Sequence, residues 1–500
     1  MARRCVGVLA AVAAMLASGA GAPLDAQSIP IRTVPVASGD QFLMLPSSSM
    51  PMGGVRLAVD DTLYDPWVNP AKGVMIEGAS FVTAPTFYSI SQNGGGGRTL
   101  PVGGVLTSGA WFGGGALALQ QIDNDESGDG IFFAEPAILD DLSLFPCCVP
   151  TPTFEELPAR NLYVSGFAGR RLGERWAVGV GGSAARLHAM DGVDLLYAGA
   201  DRIDQSGTVS DIRLGLYRTG ARDRLALMLL HDRVSMEHDV EYAEFVLDTV
   251  DMVPVLQRRV EANEDRTRTW GAHLEWDRDL LAPGWRVGAS ATVNRKSHPK
   301  IPNYEIQNIP RDPGTTWAYE AAFGLARTTA ATTFGLELAL QPIWSDTWQE
   351  ADAAAAEASG GRFAVGDRTI ENEFFFTNVE LRTGVSHDVE RAGLQLGLEV
   401  RSYAYTLDQT DHVESTSREL DESWMEWTPT FGLSYSFTGL DLRYAGRVTT
   451  GTGRPGLARS FGGELASPDG ADFIVAPRGA LTLQDVSVYT HQISIAVPVR

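Results

Sequence analysis

The feature that most constrains this chain is an alternation of apolar and non-apolar residues with a period of two, sustained over segments of about 10 to 14 residues. One such segment places Phe334, Leu336, Leu338 and Leu340 in alternation with Gly335, Glu337, Ala339 and Gln341. A period of two is that of a β-strand with one apolar face. Strands of soluble sandwiches more often run about five or six residues. About nine to eleven tilted residues cross a bilayer, so the segment length favours transmembrane strands.

The connections between these segments alternate between short and long. Tight links join seven pairs of segments: 101–108 with 111–121, 160–169 with 175–187, 209–218 with 223–236, 267–276 with 284–296, 316–327 with 331–346, 373–386 with 391–406, and 425–437 with 439–450. Long polar stretches lie between the pairs: 122–159, 188–208, 237–266, 297–315, 347–372, 407–424 and 451–486. Short turns at one end and long loops at the other are typical of outer-membrane barrels.

The sequence therefore predicts an all-β fold, a closed antiparallel transmembrane β-barrel in residues 74–500. Further strands near 74–92 and 487–498 bring the count to about 16, with 14 as the alternative. Closure has a physical cause, because an unpaired strand edge in lipid would leave its N–H and C=O groups without partners. An even count places both ends of the barrel on the periplasmic side.

Composition excludes several other classes of protein. The chain has 40 Lys and Arg against 62 Asp and Glu, a net charge of −22, which offers a nucleic acid no basic surface. Its 44% of hydrophobic residues is too high for a disordered chain. Beyond the extreme N-terminus, the sequence contains no uncharged apolar run of about 18 residues, which a transmembrane helix would need.

The N-terminus has the layout of a secretory signal peptide. Two arginines precede an apolar stretch from Val6 to about Leu16, and small residues follow. Cleavage after Ala26 gives a signal peptide of residues 1–26, and cleavage after Ala22 is the alternative. We therefore expect export and, because the fold is a barrel, location in the bacterial outer membrane.

Aromatic residues fall near the ends of the strand segments: Trp270, Trp276, Trp317, Trp344, Trp424 and Trp427. We interpret them as interfacial girdles in contact with outer-membrane lipid. Packing in a soluble core is the alternative.

The non-apolar strand face carries charges of both signs, which we expect in the barrel lumen: Glu337, Glu380, Arg382, Glu399, Arg401, Asp441, Arg443 and Arg447. Their confinement to one face supports the barrel, since a charge on the lipid face costs about 2 to 4 kcal/mol at the bilayer midplane. Mixed charges of this kind can form ion pairs or line a water-filled pore, and the sequence leaves both readings open.

Residues 27–73 do not follow the strand rhythm. They contain an apolar and acidic stretch at 52–61, followed by a passage that includes Asn69 and Pro70. The residue before a proline is pushed out of the helical region. We interpret the passage as a short helix ended by a turn.

This passage resembles the N-terminal signature of the FadL/TodX family of outer-membrane transporters for hydrophobic compounds, and of related secretion-system barrels. The signature is a Gly-Gly pair, an apolar stretch ending in Asp, and Asn-Pro-Ala before the first strand. The matching positions are Gly53, Gly54, Asp60, Asp61, Asn69, Pro70 and Ala71. Beyond these residues the resemblance is architectural, and the last residue, Arg500, departs from the aromatic residue on which outer-membrane strands commonly finish.

The resemblance implies that residues 27–73 form a plug in the lumen, that a hydrophobic small molecule binds above the plug, and that an opening in the wall releases the ligand into the membrane. The alternative is that residues 28–73 simply cover the periplasmic mouth.

Motifs for metal binding and catalysis are weak. Carboxylates alternate as in a calcium loop at three positions: Asp123, Asp125 and Asp129. The twelfth loop position is Ala134 rather than Glu, so these are weak candidates for a structural calcium, and we expect no other cofactor. The adjacent Cys147 and Cys148 can form a strained disulfide, pair between molecules or stay free. Since no nucleophile elbow is evident, we do not expect an enzyme.

We therefore predict an outer-membrane barrel that transports small hydrophobic or amphipathic molecules through a plugged lumen. The alternatives are a non-transporting barrel that serves a secreted-protein partner as a scaffold or shuttle, and a general diffusion porin. Nucleic acid is not an expected partner. Architecture alone does not name the cargo.

Overall fold

The computed structural model describes residues 28–33, 35–92, 94–123, 159–191, 202–247, 254–297, 314–351, 355–356, 362–455 and 483–499. The signal peptide predicted at 1–26 lies outside the described residues, as do Cys147 and Cys148, and the expectations for them stay predictions.

Sixteen strands form the wall, the first of them in two pieces. They are β1 (Ala79–Thr83 and Thr86–Ile90), β2 (Gly96–Ser108), β3 (Trp111–Asp123), β4 (Ala159–Leu172), β5 (Trp176–Leu187), β6 (Arg202–Thr219), β7 (Asp223–Leu247), β8 (Pro254–Asp279), β9 (Trp285–Ser297), β10 (Gly314–Thr328), β11 (Thr332–Glu350), β12 (Arg368–Val389), β13 (Ala392–Asp411), β14 (Thr416–Phe437), β15 (Leu440–Pro455) and β16 (Leu483–Pro498). The predicted all-β fold is confirmed.

The sheet closes on itself. Each strand pairs antiparallel with its neighbours in the chain, and β1 also pairs with β16, where Phe81 lies opposite Val497 and Phe87 opposite His491. The break in β1 falls at Pro85, which has no N–H to give to the ladder. The predicted closed barrel of 16 strands is confirmed, and the alternative of 14 is wrong.

The outer face of the barrel is apolar, and the inner face carries polar side chains together with clusters of apolar ones. Leu119 is 63% exposed and Phe323 59%, whereas Asp211 and Glu380 are each 3% exposed. This is the reverse of a soluble sandwich, as the alternation predicts.

The seven tight links are confirmed, and the barrel end that carries them is called the short-turn end here. The opposite end is called the long-loop end. Two stretches predicted as long loops are mainly strand, because β7 and β8 reach Leu247 and Pro254, and β13 and β14 are separated only by 412–415. A strand whose two faces both meet water needs no apolar alternation, so the ladder continues where the alternation has stopped.

Most of the predicted girdle residues face outward. Trp270, Trp317, Trp344 and Trp427 are between 42% and 59% exposed. Trp424 is the exception. It shares the inward face with Glu426 and stacks on Tyr403, with ring centroids 4.9 Å apart.

Short helical turns occur before the barrel. A 3₁₀ helix spans Met50–Met52, a one-turn α-helix, α1, spans Asp65–Val68, and a second 3₁₀ helix spans Pro70–Met75. The predicted end of a helix at Asn69 is confirmed, while 53–61 is not helical. Among the described residues, no helix is long and apolar enough to cross a membrane.

Candidate functional site in the barrel interior

Residues 28–78, called the N-terminal segment here, lie against the inner side of the wall. The N–H of Gly53 donates to Thr430 Oγ1 on β14 at 2.9 Å, and the N–H of Leu57 donates to Glu337 on β11 at 2.9 Å. Their wall partners are buried side chains of the polar strand face. The segment therefore contacts inward-facing residues on several strands.

Asp61 organises the N-terminal segment. Its side chain is fully buried, and its oxygens accept hydrogen bonds from five donors: Ser47 Oγ and the N–H groups of Ser48, Ser49, Leu63 and Tyr64. These bonds join the chain before the Gly-Gly pair to the chain after it. Asp61 thus has a structural role within the segment.

The Gly-Gly pair lies where the segment passes close to the wall. Gly53 and Gly54 have φ values of 69° and 74°, a left-handed conformation that favours glycine. The wall is also glycine at this point. A Cβ on Gly397 would overlap the backbone nitrogen of Gly53, and a Cβ on Gly384 would overlap the carbonyl oxygen of Met52.

The Asn-Pro-Ala passage makes a second close contact with the wall. The side chain of Asn69 accepts a hydrogen bond from the N–H of Ala71 at 3.1 Å and so caps the second 3₁₀ helix. A Cβ on Gly179 would overlap the backbone of Pro70, and a Cβ on Gly215 would overlap Asn69 and Ala71. Both contacts therefore depend on glycines in the wall, because a side chain at these positions would block the close approach.

Five of the predicted lumen charges form one ion-pair network across β11, β12 and β13. Arg382 binds Glu337 at 2.5 Å and Glu380 at 2.7 Å, and Arg401 binds Glu380 at 2.9 Å and Glu399 at 2.6 Å. Glu337 and Glu380 are each 3% exposed. The geometry supports the ion-pair reading of these charges over a bare, water-lined wall.

The other three predicted lumen charges lie apart from this network. Arg447 pairs with Asp40 of the N-terminal segment, with its Nε 2.7 Å from Oδ2. Asp441 and Arg443 are partly exposed near the short-turn end, and within the described parts of the chain neither forms an ion pair. Arg447 is therefore a segment contact rather than a member of the wall network.

A second network holds Lys72 between two carboxylates. Its Nζ lies 3.3 Å from Asp65 and 2.9 Å from Glu275 of β8. Burial raises the pKa of Asp65, and although Lys72 opposes the shift, that pKa reaches about 7. Burial alone would lower the pKa of Lys72, but the nearby charges of Asp65 and Glu275 raise it above its ordinary value.

Asp60 connects the N-terminal segment to the wall at the short-turn end. Its carboxylate binds Arg224 of β7 at 2.9 Å and Arg286 of β9 at 3.0 Å. Burial alone would raise the pKa of Asp60, but these two guanidinium groups hold it below its usual value. Through Asp60, the segment thus binds Arg224 and Arg286 at the short-turn end.

Toward the long-loop end, the barrel interior contains an apolar patch. We call it the aromatic cluster, and its wall members are Phe374, Phe376, Tyr405, Leu407 and Trp424. Ile29 and Ile31 of the N-terminal segment pack within it and are 4% and 1% exposed. The chain itself therefore occupies this patch.

Polar contacts hold the segment beside the aromatic cluster. Arg32 pairs with Glu426 of β14 at 2.6 Å and lies over the ring of Tyr403, 5.4 Å from its centroid. The N–H of Ile29 donates to Asn294 Oδ1 of β9 at 3.0 Å. Both contacts cross from the segment to the wall.

The calcium prediction falls largely outside the described residues. Asp123 ends β3, whereas Asp125 and Asp129 are not described. Among described side chains, no group of three or more His, Cys, Asp or Glu is arranged to hold a metal ion. The weak calcium candidates stay a prediction.

Sequence reasoning did not single out the aromatic cluster, Asp40 or Lys72. A signal for the cluster was present, because Phe374, Phe376 and Tyr405 stand on the strand face that is otherwise polar. No such signal marks Asp40 or Lys72, whose partners lie on distant strands.

No family profile and no curated protein matches this chain. Among solved structures, it is similar to the crystal structure of a Pseudomonas aeruginosa FadL homologue, with 10% identity, 92% of this chain and 99% of that chain covered, and a TM-score of 0.45. It is also similar to the CymD monoaromatic hydrocarbon channel, with 10% identity, the same coverages and a TM-score of 0.40. The Pseudomonas putida toluene transporter TodX aligns with 11% identity, coverages of 90% and 97%, and a TM-score of 0.37. With identities and TM-scores this low, the question of function rests on the geometry of this chain.

Proposed function

We propose that this protein is an outer-membrane channel for small hydrophobic or amphipathic molecules, with the N-terminal segment as a plug in its lumen. The observation that carries the proposal is the aromatic cluster, an apolar site in the barrel interior that the chain's own Ile29 and Ile31 occupy. A hydrophobic ligand that takes the place of these two side chains would find the same apolar surroundings.

The plug role is supported by the number and distribution of the segment's contacts. It meets β11 at Glu337, β14 at Thr430, β8 at Glu275 and β15 at Arg447. These strands lie on different sides of the barrel, so a segment bound to all of them crosses the lumen. A general diffusion porin needs an open lumen, which makes that alternative the weaker one.

A gap in the strand pairing lies beside the aromatic cluster and begins at the girdle residue Trp427, and this gap is the exit that we propose for the ligand. The ladder between β14 and β15 ends where Trp427 lies opposite Thr450, although β14 continues to pair with β13 as far as Thr416. Beyond that point, the edge of β15 pairs with the N-terminal segment instead, through an isolated bridge between Gly453 and Val36. A displaced segment would free this edge.

The test is conductance in planar bilayers of the full mature chain and of a variant lacking residues 28–72. We expect little steady conductance from the full chain and a large steady conductance from the variant. Equal conductance of the two proteins would contradict the plug role.

Cargo is tested on the full chain by mass spectrometry of small molecules that survive purification in detergent. We expect hydrophobic or amphipathic compounds, and fewer of them from Phe376→Ala, which removes a ring that is fully buried in the aromatic cluster. A protein without bound compounds and without conductance in either form would instead favour a scaffold for a secreted protein.

A further inference from the structure

The lipid-facing rim at the short-turn end repeats one cross-strand pair three times. In each pair a tryptophan is the first residue of a strand, and an arginine lies directly opposite on the following strand: Trp111 with Arg170, Trp176 with Arg218, and Trp285 with Arg327. The guanidinium carbons lie 5.2, 6.0 and 5.3 Å from the ring centroids, in the same order. We call these three pairs the Trp–Arg rim.

The Trp–Arg rim stands on the outer face of the wall. Trp111 shares its strand face with Leu117 and Leu119, which are 50% and 63% exposed. Arg170 and Arg327 are exposed, and among the described residues neither has a carboxylate within ion-pair distance. Two positive charges at the edge of the apolar band therefore lack an anion from the described chain.

The charge of Arg218, which pairs with Trp176, is partly neutralised within the protein. Arg218 binds Asp223 of β7 at 2.8 Å, and both side chains are about one-third exposed. At such exposure water screens the ion pair, so the guanidinium can still accept a second anion. The three arginines therefore differ in how much charge they present.

A tryptophan ring beneath a guanidinium orients it without using its N–H groups. The ring attracts the cation through its face, and the planar fork of N–H donors stays free for a bidentate acceptor such as a phosphate. Long side chains at a bilayer edge also extend their charged heads toward the headgroups. A row of such pairs matches the phosphate layer of one leaflet.

We propose that the Trp–Arg rim binds the phosphate groups of anionic phospholipids in the leaflet at the short-turn end. This inference rests on the proposed membrane location and is independent of transport. The long-loop end carries two further Trp–Arg pairs, Trp317 with Arg295 at 5.8 Å and Trp348 with Arg368 at 4.3 Å. What distinguishes the short-turn end is the repeat of three pairs in which the tryptophan is the first residue of its strand.

The test is native mass spectrometry of the full mature protein in detergent, titrated with phosphatidylglycerol or with phosphatidylcholine. We expect a preference for phosphatidylglycerol that falls in the variant Arg170→Gln/Arg218→Gln/Arg327→Gln. The expected loss in affinity is roughly fivefold for each arginine removed, less for Arg218. High salt should likewise weaken the binding of phosphatidylglycerol to the wild-type protein.

A matched control removes three exposed arginines from the long-loop end of the same face: Arg98→Gln/Arg160→Gln/Arg186→Gln. Both variants must keep the heat-dependent gel migration of a folded barrel. The proposal is overturned by a wild-type protein without preference between the two lipids, by a rim variant that keeps its preference, or by an equal loss in the control. Recovery of the wild-type protein from the aqueous fraction without detergent would instead overturn the membrane location itself.

Discussion

The carboxylate of Glu337 on β11 accepts a hydrogen bond of 2.9 Å from the backbone N–H of Leu57, which lies 280 positions earlier in the chain. The same carboxylate accepts from the N–H of Arg56 at 3.0 Å and pairs with Arg382. One wall residue therefore connects the ion-pair network to the N-terminal segment.

We expect Glu337→Ala to loosen the N-terminal segment while the barrel stays folded. The change leaves the buried N–H of Leu57 and the partly buried N–H of Arg56 without their acceptor, and Arg382 keeps only Glu380, at a cost of about 3 kcal/mol. Hydrogen exchange of residues 52–60 should accelerate, and conductance should rise. Glu320→Ala is the control, because Glu320 binds Gln341 and Thr292 of the wall and has no hydrogen bond to the described part of the segment. An equal effect of the control would show that the segment is not held by Glu337.

Gly397→Ala should displace the Gly-Gly pair. The added Cβ would overlap the nitrogen of Gly53, and backbone cannot yield as a flexible side chain can. We expect faster proteolysis of the N-terminal segment and a higher conductance. Gly115→Ala is the matched control on β3, where the nearest atom to a Cβ lies at 3.9 Å, an ordinary contact. Unchanged proteolysis of Gly397→Ala would count against the close approach of segment and wall.

Asp65 should make the binding of the segment depend on pH. Its pKa of about 7 in the folded state is higher than the value of an exposed aspartate, so folding favours its protonated form. This contribution to stability is fully present below the pKa that Asp65 has in the unfolded chain, and it is lost as the pH rises through about 7. Local stability around α1 should fall by about 1 kcal/mol between pH 6 and pH 8.

Hydrogen exchange of residues 64–76, corrected for the intrinsic pH effect, measures this change. Asp65→Asn should remove most of the pH dependence, because the amide does not titrate in this range. A variant that keeps the wild-type dependence would assign the effect to another group.

Ile31→Asp should release residues 28–33 from the aromatic cluster. A carboxylate placed among Phe374, Phe376 and Tyr405 would be buried in apolar surroundings, which is costly for a charge. We expect increased fluorescence of the apolar probe N-phenyl-1-naphthylamine with the purified variant, since the vacated patch can accept it. Ile31→Val keeps the patch occupied and should bind the probe as the wild-type protein does. A loss of probe fluorescence in Ile31→Asp would mean that the isoleucines do not compete with a ligand.

The alternation of side chains along single strands was enough to predict the barrel, its strand count and its inward charges. Phe334 to Gln341 shows why, because the face to which each residue points depends only on its position along the strand. The prediction of long loops failed where both faces of a strand meet water, as in the outer parts of β7 and β8. It also failed at Trp424, since an aromatic residue near a strand end can pack on Tyr403 inside rather than meet lipid.

The sequence by itself determined a cylinder of paired strands with an oily exterior, because periodicity and turn spacing are local properties of the chain. Only the tertiary structure decided that Ile31 packs against Phe376, that Lys72 binds Glu275, and that Asp40 binds Arg447. These pairs are separated by hundreds of residues, and strand register together with the path of the N-terminal segment brings them together. A pattern along the chain carries no information about which distant charge meets which, so the contents of the lumen required the folded molecule.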